Sequence, residues 1–222
     1  MKNRLLITDE QGNVFNSFGH LKSFTRQIKV FQVTPPLFYH YGKSTMFLEI
    51  CVDTIYHVTR DALMPHYHLN MGKYRPPYEK QCELFIPPNP LINDYFWFRN
   101  IGETDRFLFF DFSHKKTNLT DASHSSFFGF YDKNRKSVKV ADIDKNGRRI
   151  VNKIDQFGVI QLSAWTINYE RNEMISYIEA VDIVEWFKNN PQKAKELPAH
   201  LQKLSTLTED DDPVVVIAKL KK

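Results

Sequence analysis

The sequence predicts a mainly β chain with a short helical excursion before its last strand, and three observations carry that prediction. A unit of apolar strand, short polar turn and second strand recurs along most of the 222 residues. Residues that favour strands are abundant, with 18 Phe, 10 Tyr and 3 Trp. Helical spacing behind a capping pattern is confined to the C-terminal third.

Taken in order, "LLITDEQGNVFNSFG" reads as a hairpin turning at Asp9 to Gly12. "LFYHYGKSTMFLEIC" is a strand-like run. "DTIYHVTRDALMPHYHLNMG" is a hairpin turning at Arg60-Asp61. The Pro-rich "RPPYEKQCELFIPPNPLIN" is a connector, because proline removes a ladder donor from a central strand. "DRFLFFDFSH" is again strand-like, and "FFGFYDKNRKSVKV" turns at Asp132 to Arg135. "SAWTINYERNEMISYIEA" turns at Glu170 to Glu173, the fourth hairpin.

In "AVDIVEWFKNNP", Asp182 is placed to cap a helix, with Glu185 at the capping-box position three residues on. Ile183, Val184, Trp186 and Phe187 give that helix its apolar surface, and Pro191 marks its stop. A second helix is expected after Pro198, so the insertion covers about 182–207. These helices are expected to pack beside the sheets. A closing strand then runs from Val214 to about Leu220. From pattern alone, repeated hairpins of this kind fit a sandwich, a barrel or a propeller.

Composition narrows the function classes. The formal charge is +4, from 30 basic and 26 acidic residues. The densest basic stretch, "YDKNRKSVKVADIDKNGRR", is broken by Asp132, Asp142 and Asp144, so it reads as a solvated edge rather than a nucleic-acid face. No apolar run has the length of a membrane helix, and the first residues contain no apolar signal core. Cys51 and Cys82 are too few for a disulfide scaffold, and Cys51 within "FLEICV" suits a core position.

Three constellations carry residues capable of chemistry. In "MPHYHLNMG", strand alternation puts His66, His68 and Asn70 on one face, with His57 across the turn. Three imidazoles would suit zinc with an open water position. The same alternation is what any half-buried hairpin requires, and the polar hairpin face is the reading adopted. "DIDKNG", Asp142 to Gly147, matches half of a calcium loop. Its twelfth position is Lys153, a cation where a bidentate Glu should close the cage, so a polar turn is expected. "DASHSS" gathers Asp121, His124, Ser125 and Ser126 without a nucleophile elbow or an oxyanion hole. No catalytic, cofactor-binding or metal-binding residue is assigned, and no cofactor is expected.

"DTIYHVTRDALMPHYHLNMGKYRPP", "ETDRFLFFDF", "FFGFYDKNRKSVKV" and "LTEDDDPVVVIAKLKK" together resemble the TolB-like six-bladed β-propeller proteins of Gram-negative gut anaerobes. Their order is similar to that of the family's C-terminal part, across nearly the whole chain. Where that family tends toward Asn-Asp-Ile-Asp-Gly-Gly, this chain reads "ADIDKNGRR". The resemblance implies a propeller with a helical excursion before its last strand. It also implies export to the periplasm or the outer membrane, and no catalytic residues to carry over.

At roughly 40–45 residues per blade, the chain holds about four blades of a six-bladed plan. The expectation is one partial β-propeller domain over residues 1–222, a fragment or shortened gene product with no signal peptide of its own. Its expected function is non-enzymatic, as a binding or scaffold domain of the cell envelope with a protein or glycan ligand. Self-association is expected if the ring is incomplete. The alternative is a metal-dependent propeller hydrolase or lyase with its site in the central channel.

Overall fold

The computed structural model describes residues 3–21, 36–80, 94–114, 126–142, 157 and 167–220. It is mainly β, with several antiparallel sheets and a helical segment before the last strand. Among the described residues no helix is long and apolar enough to cross a membrane.

Strands β1 (Asn3–Thr8) and β2 (Val14–Gly19) form the first hairpin. Its turn is built by Asp9, whose carboxylate accepts the backbone N–H groups of Gln11 and Asn13 at 3.0 and 2.8 Å. Gly12 supplies the left-handed residue there, at φ +87°, which a side chain would resist.

The next sheet is a four-stranded meander, β3 (Leu37–Tyr41), β4 (Ser44–Leu48), β5 (Thr54–Val58) and β6 (Leu63–His68), paired in sequence order. The run "LFYHYGKSTMFL" is therefore a hairpin rather than one strand. Tyr41 pairs with Ser44 around a two-residue Gly42-Lys43 loop, and Gly42 has φ +60°. The β5–β6 turn falls at the expected Arg60-Asp61. Thr59 closes it, its backbone N–H donating to the Ala62 carbonyl at 2.9 Å and its hydroxyl accepting from the Ala62 N–H.

A second four-stranded sheet has the order β10-β9-β8-β7, from β7 (Trp97–Glu103), β8 (Phe107–Ser113), β9 (Ser126–Asp132) and β10 (Ser137–Asp142). The last sheet joins β11 (Ile167–Asn168), β12 (Glu173–Ile178) and β13 (Val214–Lys219), with β12 in the middle. The apolar stretch "VVVIAK" is thus an integral strand, paired from Ile178↔Val214 to Glu173↔Lys219.

Between β12 and β13 lie α1 (Ala180–Asn189), α2 (Pro191–Glu196), α3 (Ala199–Gln202) and a 3-10 turn, Lys203–Thr206. Helix α1 starts two residues before the expected Asp182 cap, with Glu179 as the N-cap and no side-chain capping bond. Asp182 instead lies in the first turn, where its charge favours the helix N-terminus. Burial sets that start, because Ala180, Ile183 and Trp186 form the inward stripe of α1. Pro191 ends α1 and opens α2, a first-turn position that tolerates its missing N–H.

Packing divides the chain into two compact units, residues 1–101 with 112–125 and residues 102–111 with 126–222. In the first, Cys51, Val52 and Tyr78 form a buried cluster against Ile50, Tyr56, Tyr95 and Trp97. In the second, Phe157, Ile178, Ile183, Trp186 and Leu197 make one core, and Phe109, Phe128 and Met174 another. Gly129 of β9 lies directly under the buried ring of Phe110, and a Cβ there would overlap ring carbons Cε2 and Cζ. Gly129→Ala should therefore cost roughly 1–3 kcal/mol, read as a lowered urea midpoint with unchanged slope.

Candidate functional site

The most concentrated group of titratable side chains in the first unit surrounds the turn between β4 and β5. Strand β4 carries Met46, Phe47 and Leu48 into the core, and the chain then reverses within Glu49–Val52. The Val52 N–H donates to the Glu49 carbonyl at 3.2 Å, and Cys51 adopts φ +63° at the third position. Turns of this kind normally place glycine there, so the cysteine stores strain of order 1–3 kcal/mol.

The turn holds the Glu49 carboxylate at 6% exposure. Arg4 of β1 donates from Nη1 to Oε2 at 3.0 Å, and the Tyr78 hydroxyl donates to Oε1 at 3.1 Å. His20 Nδ1 stands 3.6 Å from Oε1 and 3.1 Å from the Tyr78 oxygen, which also accepts the Leu21 N–H at 3.3 Å. The Arg4 guanidinium lies over the Tyr56 ring, 5.3 Å from its centre. Arg4 Nε is buried without a hydrogen-bond partner among the described residues. This arrangement fastens the β1–β2 hairpin to the β4–β5 turn. Glu49 also lines a cavity of about 30 Å³, walled by Leu37, Leu48, Cys51, Trp97 and Phe98. That space holds about two waters, far below the roughly 300–1,000 Å³ that an organic substrate fills.

Four residues beyond Glu49, Asp53 binds Arg75 Nη1 at 2.8 Å and the Thr54 hydroxyl at 3.2 Å. His68 Nδ1 is 3.7 Å away. Burial pushes the Asp53 carboxyl up, but the hydrogen bond and charge of Arg75, with Thr54 and His68, outweigh it and hold the group below the usual carboxylate range.

The second unit has its own ion-paired turns. Lys133 Nζ donates to buried Glu103 and to the Thr104 carbonyl, both at 2.6 Å. Arg106 grips both oxygens of Asp132, at 3.3 and 2.9 Å, and lies over the Phe107 ring. The Arg106 hydrogen bonds lower the Asp132 carboxyl despite the opposing effect of desolvation, and the same pairing raises the guanidinium.

The histidines of β5 and β6 are dispersed by a bulge. Tyr67 pairs with Ile55 and Pro65 with Tyr56, so His66 is the extra residue between them. Its ring meets Tyr67 edge-on at 4.3 Å, while His57 pairs with Met64 and His68 sits beside Asp53. Thr54, the partner of His68, stands three residues from His57 on β5, so His57 and His68 fall on opposite faces. Among the described residues no three His, Cys, Asp or Glu side chains gather as a metal-binding group. Beyond Asp142, the "DIDKNG" stretch and Lys153 lie outside the described residues, as do Asp121, His124, Ser125, Cys82 and the Ser126 side chain. Glu49 carries no sequence motif. Its one signal is an acidic residue in the apolar run "MFLEICV", where burial demands a partner.

The chain belongs to the family described as Domain of unknown function (DUF4934), whose model matches residues 1–219. It is similar in fold to a crystal structure from Bacteroides fragilis NCTC 9343, described as a "putative exported protein". That likeness has a TM-score of 0.61 at 17% sequence identity and covers 97% of this chain. The chain spans 57% of that protein's length. No curated protein matches the sequence.

Two outcomes follow from these ion pairs. Glu49→Leu strands a buried guanidinium and should cost about 3–5 kcal/mol, whereas Arg4→Met/Glu49→Leu should recover much of that loss. A double-mutant cycle in urea measures the coupling. For Asp53 the folded-state pKa is depressed, so its stabilisation is complete above the unfolded carboxylate value, near ~4, and is lost as pH falls through the folded value. The stability gap between the native chain and Arg75→Leu should therefore close on acidification, as thermal melts at successive pH values would record.

Proposed function

We propose that this chain is a non-enzymatic β-propeller domain serving as a binding module or assembly scaffold of the cell envelope. The observation that carries the reading is the use made of four of its acidic groups. Glu49, Asp53, Glu103 and Asp132 are each bonded to a cation, Arg4, Arg75, Lys133 and Arg106 in turn, and each pair fixes a turn. A carboxylate serving as general acid or base must present an oxygen to a substrate proton. These carboxylates are directed at the chain's own hairpins.

The propeller part of the reading is supported by the two sequential four-stranded antiparallel sheets, β3-β4-β5-β6 and β10-β9-β8-β7, the form that a blade takes. The likeness of motif order to TolB-like propellers agrees with it, as does the helical segment before the final strand. The envelope setting is supported by that likeness and by the description of the Bacteroides fragilis protein as exported. Ligand chemistry within this reading is a protein or glycan surface.

The test combines location with turnover. The protein expressed from its own gene should fractionate with the envelope, and the purified chain should hydrolyse no ester, glycosidic or peptide substrate, with or without added divalent metal. Recovery in the cytoplasmic fraction would refute the envelope setting. Turnover that disappears in Glu49→Gln, with the fold retained, would refute the non-enzymatic reading.

A further inference from the structure

We propose that β13 is a dimerisation edge, which pairs antiparallel with β13 of a second copy of this chain. The strand ends the order β11-β12-β13, so among the described residues it is hydrogen-bonded to β12 alone. Their register runs without a shift over all six residues, so a straight row of N–H and C=O groups faces away from β12. Natural edges are guarded by bulges, prolines or charges within the strand. Val214 to Ala218 contains none of these, since Pro213 precedes the strand and Lys219 is its last residue.

The outward face of this edge is apolar. Tyr177 lies across from Val215, and Ile175 across from Ile217. Tyr177 and Val215 are each 64% exposed and Ile217 is 57% exposed. Val214 and Val216, of the opposite parity, pack instead on the core that includes Ile183 and Trp186.

Charge selects a second copy as the occupant. The strand is preceded by Glu209-Asp210-Asp211-Asp212 and ends on Lys219. A twofold axis at Val216 sets Val215 of one copy opposite Ile217 of the other and continues the apolar ladder across the joint. The same operation brings Lys219 of each copy beside the acidic run of its partner, at both ends of the interface. Such an edge is complementary to itself, as an isologous contact requires. Asp211 is occupied within its own turn, accepting the Thr208 N–H and hydroxyl at 2.6 and 2.9 Å, which leaves exposed Asp210 and Asp212 for the contact. The proposal goes beyond the binding or scaffold reading, which names no partner, and neither depends on the other.

Complementary charge reversal tests it. One variant carries Lys219→Glu, and the other carries Asp210→Lys and Asp212→Lys. In sedimentation equilibrium at low micromolar concentration and low salt, the native chain should dimerise, and added salt should weaken the dimer. Each variant alone should dissociate with a constant raised at least about ten-fold, and an equimolar mixture of the two should restore dimers. Hydrogen exchange of the native chain should slow at residues 214–219 as concentration rises. A native chain that stays monomeric overturns the proposal, as does a dimer indifferent to both reversals or a mixture of folded variants that does not restore it. Should a reversed variant fail to fold, the native chain still decides: exchange at 214–219 that is independent of concentration overturns the proposal.

Discussion

A carboxylate withdrawn from water must be given a cation and hydrogen bonds, or it destabilises whatever buries it. The hairpin ends of this chain are organised around that requirement. Glu49 draws its cation from 45 residues away in Arg4, and Asp132 draws Arg106 from 26 residues away. Arg4–Glu49 joins two hairpins that belong to different sheets, whereas Arg106–Asp132 ties together two turns of one sheet. Against an apolar pair of equal size such a bridge adds little net stability. Its effect is on specificity, because a hairpin docked out of place would leave a buried charge unanswered.

Much of the strand pattern was legible because turn chemistry is local. Asp9, Thr59 and Asp132 each close a turn with their own side chain, and all three lie within or beside the turns read from sequence. The Gly42-Lys43 hairpin escaped because a two-residue loop turns on the left-handed backbone of its glycine, and the sequence around it reads as one strand-like run. Helix α1 was legible as an element, but its N-cap was misplaced by three residues, Asp182 for Glu179. Ala180 has no capping chemistry to announce it, and the burial of its methyl group against the core decides where the helix begins.

The candidate site was not legible, for two physical reasons. Its members, Arg4, His20, Glu49 and Tyr78, come from a strand, a strand end, a turn and a short 3-10 helix, and no local spacing links them. The hairpin read for the histidine motif is present, but the faces of its side chains were not legible. Strand alternation assumes an unbroken ladder, and one inserted residue at His66 shifts every side chain beyond it to the other face. Bulges are chosen by twist and packing against the neighbouring strand, which the residues "MPHYH" do not encode by themselves.

The two rows of the β12–β13 pair have different explanations. Met174, Ile178, Val214 and Val216 face inward, and their burial accounts for their chemistry. Ile175, Tyr177, Val215 and Ile217 face outward, where strand propensity alone would be met equally well by threonine, which is β-branched but carries a hydroxyl for water. Choosing aliphatic and aromatic side chains for those positions exposes apolar surface with no return in ladder geometry. Contiguous surface of that kind marks an interaction face. The ion-paired turns act in the same direction, since they hold the hairpin ends in fixed places. Strand propensity and core packing explain the inner row but not the outer one.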